Sequence, residues 1–428
     1  MNEVTGPKVS YPAVLAGLFI LWPIVAYLGG QGFTAGVALA AIPVLFYARP
    51  KSISLYAVAF ICFMLWIISS ASWSGAERDL FEGSLGGRDF GLNDASLRVG
   101  LTALCIGGVA FVAMQVSPNA PKSLSVIRGV IAVQIVGVVA TALFMDQIIQ
   151  GLVWLAWSDD PAESMPSNMM RNANAMMLIL PVLTAWLWTR GGLIYRGAAL
   201  ALVPLAGWAG LVIGSWAAIA AVVLIGAASV IVWLMKRAGF LILFTFLGSY
   251  ILIAPFILGD MVRILRDVGV PLPASFWSRL HAWDVVTDKV AAAPVIGHGL
   301  EASKTWTEAY GQQPAKMAEI VSDTGLSESV WQFYSIVPGH PHNMALQIWA
   351  ETGMVGALLA ALTCFLVGVR LYQIGPLSHM ARFAGAGLFG ATLAFATFSY
   401  SMWNEAFWAS VALVAAVVIL HGRFAAKS

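Results

Sequence analysis

The feature that most restricts this chain is repetition: apolar stretches of about 20 residues, the length a helix needs to cross about 30 Å of hydrocarbon, recur from Ala13 almost to the C-terminus. Only 10% of its residues are charged and 60% are hydrophobic, whereas a soluble domain carries roughly a quarter charged. A soluble globular enzyme is excluded, and an all-α polytopic membrane protein is expected. The three cysteines, Cys62, Cys105 and Cys364, all fall inside apolar runs; an odd count supports neither a disulfide framework nor a cysteine zinc site, and they read as small core residues.

Windows bounded by charge, Pro or Gly clusters predict helices near residues 12–28, 31–48, 53–71, 97–115, 124–145, 172–190, 196–213, 215–234, 239–258, 344–371, 380–400 and 403–421. This is about 12 transmembrane helices in a single integral membrane domain, 1–428. The N-terminal MNEVTGPKVSYPAVLAG lacks the pattern of a removable signal peptide, so the first apolar run reads as a permanent helix. With an even number of crossings both termini share a side. The connections on that side carry Lys8, Arg49, Lys51, Lys122, Arg128, Arg190, Arg196, Lys236, Arg237, Arg370, Arg382, Arg423 and Lys427, with Glu3 as their one acid. The opposite side takes the other acids, among them Glu77, Asp79, Glu82, Asp159, Asp160, Glu163, Asp284, Asp288 and Glu301. The positive-inside rule then predicts both termini in the cytoplasm.

Three outer segments are long enough to hold chemistry: about 72–96, about 146–171 and, before the tenth crossing, the largest at 259–343. The inner connections are short and carry no G-x-x-x-x-G-K-[ST] loop, which argues against ATP-driven transport by this chain alone. Ion-coupled transport usually shows ionisable groups at mid-membrane. Here Arg98, Arg128, Asp146, Glu351, Glu405 and His421 all fall toward predicted helix ends. The distribution favours a site at the outer face over a pathway through the bilayer.

Residues 337–356 read VPGHPHNMALQIWAETGMVG. Pro338 and Pro341 bias their neighbours away from helix, and Asn343 stands where an N-cap would open the tenth crossing. His342 is then held at the helix mouth. A helix over 344–371 would be about 42 Å long, so its first turns should stand above the hydrocarbon. A histidine there can serve as a general base. Two other readings stay open: His340 and His342 hydrogen-bonding loop backbone and headgroups, or a metal held by both with His281, His298 or Glu351. Glu351, nine positions after His342, falls about 180° around an ideal helix and suits a structural or acceptor-side role. Gly353, Gly356 and Ala360 form a small-residue face suited to close helix packing.

His342-Asn343, nine residues, then Gly353-x-x-Gly356 resembles the His-Asn-x9-Gly-x-x-Gly signature of the O-antigen ligase and polymerase superfamily of bacterial surface-polysaccharide enzymes. The HPHN form is particularly similar to its ligases. Upstream, SRLHAWDVVTDKVAAAPVIGHGL resembles the family's Arg-x-x-x-Trp segment followed by Pro and Gly-x-Gly, here Arg279, Trp283, Pro294, Gly297 and Gly299. The resemblance is specific over about 275–360.

It implies a GT-C-like glycosyltransferase of the bacterial inner membrane that needs no metal or other cofactor and no nucleic-acid partner. Such an enzyme moves a glycan from undecaprenyl diphosphate to an acceptor hydroxyl on the periplasmic face, with inversion. The ligase form uses lipid A-core as acceptor; a polymerase would use another lipid-linked repeat, and a transporter of lipid-linked sugars would bind the same headgroup without chemistry. His342 takes the base role and Arg279 the diphosphate, with His340, Asn343, Glu351 and Trp283 in support. A surface ion pair of Arg279 with Asp284 or Asp288 is the competing reading. The family's second arginine, in a Ser-Arg pair, is absent: the equivalent stretch reads Gly214-Ser215-Trp216. Arg171, beside Asn172 and Asn174 at the entrance of the sixth crossing, is the candidate replacement, against a plain headgroup anchor. Trp306 and Trp331 are candidate glycan platforms; most of the other tryptophans read as interfacial anchors.

Overall fold

The computed structural model describes residues 10–46, 53–76, 95–116, 121–156, 164–374 and 377–425. In chain order its helices are α1 (Tyr11–Ile20), α2 (Trp22–Tyr27), α3 (Gly32–Ala41), α4 (Leu55–Ser70), α5 (Ala95–Gln115), α6 (Pro121–Leu143), α7 (Met145–Ala156), α8 (Ser164–Arg190), α9 (Leu193–Val212), α10 (Trp216–Met235), α11 (Gly239–Leu258), α12 (Met261–Val268), α13 (Ala274–Ala292), α14 (Pro314–Thr324), α15 (Glu328–Trp331), α16 (Met344–Ile374), α17 (His379–Phe398) and α18 (Glu405–Ala425). Among the described residues, extended pairing is confined to one isolated antiparallel bridge, Ala309 with Ser335.

Eight helical segments among these residues are long and apolar enough to cross a membrane; one of them, Trp216–Leu258, comprises α10 and α11 on either side of the 3-10 turn Lys236–Ala238. The chain is a polytopic membrane protein. The first two expected crossings are built from short pieces, because Pro23 and Pro43 lack the N–H that would continue the helical ladder. The expected helix 172–190 is the second part of α8, which starts at Ser164 and carries Asn168, Arg171, Asn172 and Asn174 in its first half. Residues 172–183 of α8 are all buried, packed among α6, α9 and α17. The polar side chains there are partly matched inside the protein: Gln134 donates to the Asn172 oxygen and the Ser215 hydroxyl donates to Asn174 at 2.6 Å, while Asn172 Nδ2 and Gln134 Oε1 are buried without a partner.

Peripheral helices turn Leu104, Val133, Leu200, Val223 and Phe256 outward, as lipid-facing surfaces do. Cys62 is among the outward residues, and Cys105 and Cys364 are half-buried, so none of the three is the fully buried core residue expected. The acids Glu77, Asp79, Glu82, Asp159, Asp160 and Glu163 lie outside the described residues. Among the described residues the interior holds two large apolar clusters, one centred on α6, α8, α17 and α18, the other on α11, α13 and α16, and a small third one where α10, α11 and α17 meet. Phe398 and Met402, flanking the α17–α18 connection, pack against both.

The segment 259–343 is ordered by helices rather than open loop. α13 lies on α11, α14 and α16, and Asp323 of α14 accepts from Arg266 of α12 at 2.8 and 2.6 Å and pairs with His281 of α13 at 2.8 Å. Backbone bonds Tyr310 to Tyr334 (3.1 Å) and Ile336 to Glu308 (2.9 Å) bring the chain back beside itself before it enters α16.

α16 is not the straight rod its hydropathy predicts. Gly353 has φ 66° and ψ −168°, which breaks the helix that Met344 begins at its tenth residue. The break releases the carbonyls of Ala350 and Glu351 and the amides of Met354 and Val355, and the 294–299 segment takes all four. His298 N donates to Ala350 O (2.9 Å), Gly299 N to Glu351 O (2.8 Å), Met354 N to Pro294 O (2.9 Å) and Val355 N to Val295 O (3.3 Å). A Cβ on Gly353 would stand 2.3 Å from the Val295 carbonyl oxygen, and one on Gly297 2.4 Å from the Glu351 carbonyl carbon. Gly353 is therefore a loop-docking position, not part of a helix-packing face. Buried backbone groups need partners inside the protein, and this exchange supplies them.

Candidate active site

Asn343 caps α16: its side-chain oxygen accepts the Leu346 amide at 3.1 Å, and its amide nitrogen donates to the Tyr250 hydroxyl at 2.7 Å. Immediately before it, His342 sits in left-handed backbone with φ 52°, a conformation that costs a non-glycine residue about 1–3 kcal/mol and recurs at functional sites. The strained turn aims the ring at the α17–α18 connection. There Nδ1–H donates to the Ser399 carbonyl at 2.8 Å. A carbonyl only accepts, so the neutral ring carries its proton on Nδ1 and leaves the Nε2 lone pair unengaged. His340 is the reverse tautomer, since its Nδ1 accepts the His342 amide at 3.1 Å. The two rings lie 4.1 Å apart between centroids.

Burial lowers the pKa of His342 to about 4; the Ser399 carbonyl opposes the shift and the Arg279 charge adds to it. His340 is pushed further, to about 3, by burial together with His342, Arg279 and Lys304. At neutral pH both rings are unprotonated, as a proton acceptor must be.

Arg279, one face of α13, donates to the Ser275 carbonyl one turn earlier at 2.6 Å, and its guanidinium lies 5.6 Å from the Phe276 centroid. Among the described residues it pairs with no carboxylate. The competing ion pair is not formed, because Asp284 is engaged by Lys316 at 2.7 Å. The Arg279 Nε is buried and without a partner. Phe276 in turn meets Trp216 edge-on at 6.4 Å and Phe398 at 5.8 Å, so Trp216 joins an aromatic wall beside Arg279. Trp283 donates its indole N–H to Pro341 O at 2.8 Å, fixing the His340-Pro341-His342 turn to α13.

A second layer holds this turn from α16. Glu351 is wholly buried and accepts from Glu301 N (2.7 Å), the Ser303 hydroxyl (2.6 Å), Gln347 (3.1 Å) and the Trp403 indole. It has no bond to His342; it clamps the 299–303 segment and the α17–α18 connection to the helix. Gln347 accepts the Met402 amide at 2.8 Å and donates to the Ser401 hydroxyl at 3.0 Å, so it fixes the stretch that presents the Ser399 carbonyl. In the sequence nothing local marks a role for Gln347 within the 337–356 motif, and the one signal for Ser399 is the polar break SYSMWN between two apolar helices.

Arg171 lies in the second turn of α8, not at a helix entrance. Its side chain is exposed, 3.4 Å from the Asn168 oxygen, and close enough to Tyr400 for its charge to act on that phenol. Asn174 donates to the same Tyr400 hydroxyl at 3.4 Å. Arg171 thus approaches the α17–α18 connection from α8 while Arg279 approaches from α13. His281 is spent on Asp323, and His298 bonds the Lys289 carbonyl at 2.9 Å, so neither converges with His340 and His342. Among the described residues no three His, Cys, Asp or Glu side chains gather in metal-binding fashion. Trp331 is buried in the core of the 259–343 segment, which removes it as a glycan platform; Trp306 stays half-buried, with Lys289 Nζ 5.8 Å from its ring.

Residues 200–361 match the family model described as O-antigen ligase. The matched segment contains Trp216, Arg279, Trp283, the 294–299 insert, His340, His342, Asn343, Glu351 and Gly353, and leaves Arg171 outside. The match supports the O-antigen ligase superfamily. No curated protein matches the chain.

Proposed function

We propose that this member of the O-antigen ligase superfamily is a ligase that transfers a preassembled glycan from undecaprenyl diphosphate to a sugar hydroxyl of lipid A-core. The observation that carries the reading is the pairing of an unprotonated His342, its Nε2 free, with Arg279, a cation lacking any carboxylate among the described residues. In this reading the acceptor oxygen attacks the anomeric carbon as Nε2 takes the hydroxyl proton. The bond from that carbon to the diphosphate oxygen breaks from the opposite side, and undecaprenyl diphosphate departs with the electron pair. Charge builds on the leaving group, where a preorganised planar guanidinium is most useful. Arg279 is its first ligand and Arg171 the second, approaching from α8 in place of the arginine that Trp216 replaces. The diphosphate brings its own activation, so the step requires neither metal nor cofactor.

Around this site we propose a GT-C-like arrangement of twelve crossings in the inner membrane, with cytoplasmic termini and a periplasmic 259–343 segment. Support comes from the helices that occupy each of the twelve apolar windows and from the segregation of basic and acidic connections.

The test is a profile of lipopolysaccharide and lipid-linked glycan after deletion of the gene, with wild type or His342→Ala restored. A ligase leaves bare core and glycan accumulating on undecaprenyl diphosphate, corrected by wild type alone. Core bearing a single repeat would make the chain a polymerase. Full restoration by His342→Ala would end the catalytic reading and favour a transporter.

A further inference from the structure

At the end of the bundle opposite His342, the guanidinium carbons of Arg128 (α6) and Arg190 (α8) lie 4.8 and 4.7 Å from the centroid of one indole, Trp186. The two charges therefore stand within about 10 Å of each other, about one Debye length at 0.1 M salt, in surroundings that screen less than water. Arg128 also reaches His421 Nε2 of α18 at 3.2 Å. His421 Nδ1 lies 2.9 Å from the Val417 carbonyl and donates to it, so Nε2 is an acceptor and this buried ring is neutral: it orients Arg128 without cancelling its charge. Among the described residues no carboxylate pairs with either arginine. The sequence has no Asp or Glu from 95 to 145, from 164 to 259, or after Glu405. Arg196, at the start of α9, adds a third cation, 5.6 Å from the ring of Trp188. Folding has gathered like charges against aromatic platforms, with no counter-charge paired to them among the described residues.

The geometry points to a binding site for the phosphate of an anionic phospholipid between Arg128 and Arg190, on the face opposite the candidate active site. Planar guanidinium groups grip phosphate oxygens in pairs, and indole stacking holds them in place when the site is empty. A lipid is favoured over free phosphate by what adjoins the site. At the α8–α9 turn Leu193 and Ile194 are 90% and 84% exposed, and Trp188 is exposed beside them, an apolar rim suited to acyl chains. The Gly191-Gly192 pair, both at positive φ, makes that turn tight enough to bring the rim next to Arg190.

The test uses the full chain purified in an uncharged detergent, with lipid binding followed by native mass spectrometry and thermal stability. Phosphatidylglycerol, zwitterionic phosphatidylcholine and inorganic phosphate are the three probes. Phosphatidylglycerol should bind and raise the melting temperature of wild type, and the other two should not. Each arginine near an anionic headgroup is worth about fivefold in affinity, so Arg190→Gln should weaken binding by about that factor and Arg128→Gln/Arg190→Gln should abolish the thermal shift. Arg237→Gln, at a cation that stacks on Tyr372 instead, should retain it. Arg190 is exposed, so the single variant keeps the measurement informative if the double variant fails to fold. Equal phosphatidylglycerol binding by Arg190→Gln and wild type would overturn the proposal, and an equal response to inorganic phosphate would reassign the site to a free anion.

Discussion

His342 Nδ1 donates to the Ser399 backbone carbonyl at 2.8 Å, which ties the helix mouth of α16 to the α17–α18 connection and fixes which nitrogen can take a proton. Burial holds the ring's pKa at about 4, below its ordinary 6.5. The active form is the unprotonated one, so activity persists as pH falls through 6.5 and disappears only near the lowered value. The acid limb of kcat/KM, which reports the free enzyme, is expected close to 4; a midpoint at 6.5 would contradict the buried geometry. His342→Ala should lower turnover by about 10²–10⁴, the usual contribution of a positioned base.

Gln347 never touches the reacting groups in this scheme, yet it holds Ser401 and Met402, two and three residues past the carbonyl that orients His342. Gln347→Leu removes both bonds, and its donation to Glu351, within a similar volume. Turnover should fall by about tenfold or more with KM little changed, since misplacement of a catalytic group acts on the transition state. The acid limb should also move toward 6.5 as the turn loosens and water reaches the imidazole. Loss of stability with an unaltered pH profile would mark Gln347 as structural only. Gln347→Glu keeps an acceptor for the Met402 amide and should recover part of the activity if added charge is tolerated beside Glu351.

The helix break makes a sharper stability prediction. Gly353→Ala would force a side chain into positive φ and to 2.3 Å from the Val295 carbonyl, a backbone atom that cannot swing aside. A cost above about 4 kcal/mol is expected, since such values arise where strain and overpacking combine. The variant should fail to accumulate in the membrane or should melt far below wild type. Gly325→Ala, also at positive φ but in open space, should cost only about 1 kcal/mol and serves as the comparison.

What the sequence made legible were the features coded locally. Apolar windows found helices because hydropathy is a property of consecutive residues, and Pro338, Pro341 and Asn343 marked the start of α16 by their own backbone preferences. The break at Gly353 was invisible for the same reason: hydropathy runs unbroken through it, and what stabilises it is a Pro294–Gly299 insert more than 50 residues away in sequence. α8 starts at Ser164, eight residues before its apolar window, and the partners that bury Asn172 and Asn174, Gln134 and Ser215, are ones that only the packed bundle provides. The placing of Glu351 away from His342 followed from helical angles alone, whereas its anchoring of Glu301, Ser303 and Trp403 required three separate segments to meet.

Arg279 couples the two halves of the site, and its removal should be read in two ways at once. Arg279→Ala takes away a donor aimed at the leaving group and should lower turnover by about 10²–10³, the usual cost of one such donor. It also takes away a positive charge that helps to hold His340 and His342 below their ordinary pKa. Losing that charge stabilises the protonated imidazoles, so the acid limb of the residual activity should shift upward. Arg279→Lys keeps the charge but not the planar pair of donors. It should leave the acid limb near its wild-type position while still losing much of the rate, because an ammonium cannot span two phosphate oxygens. If Arg279→Lys matched wild type in rate, the residue would act as a point charge only; if neither variant changed the acid limb, Arg279 would lie too far from His342 to share its site.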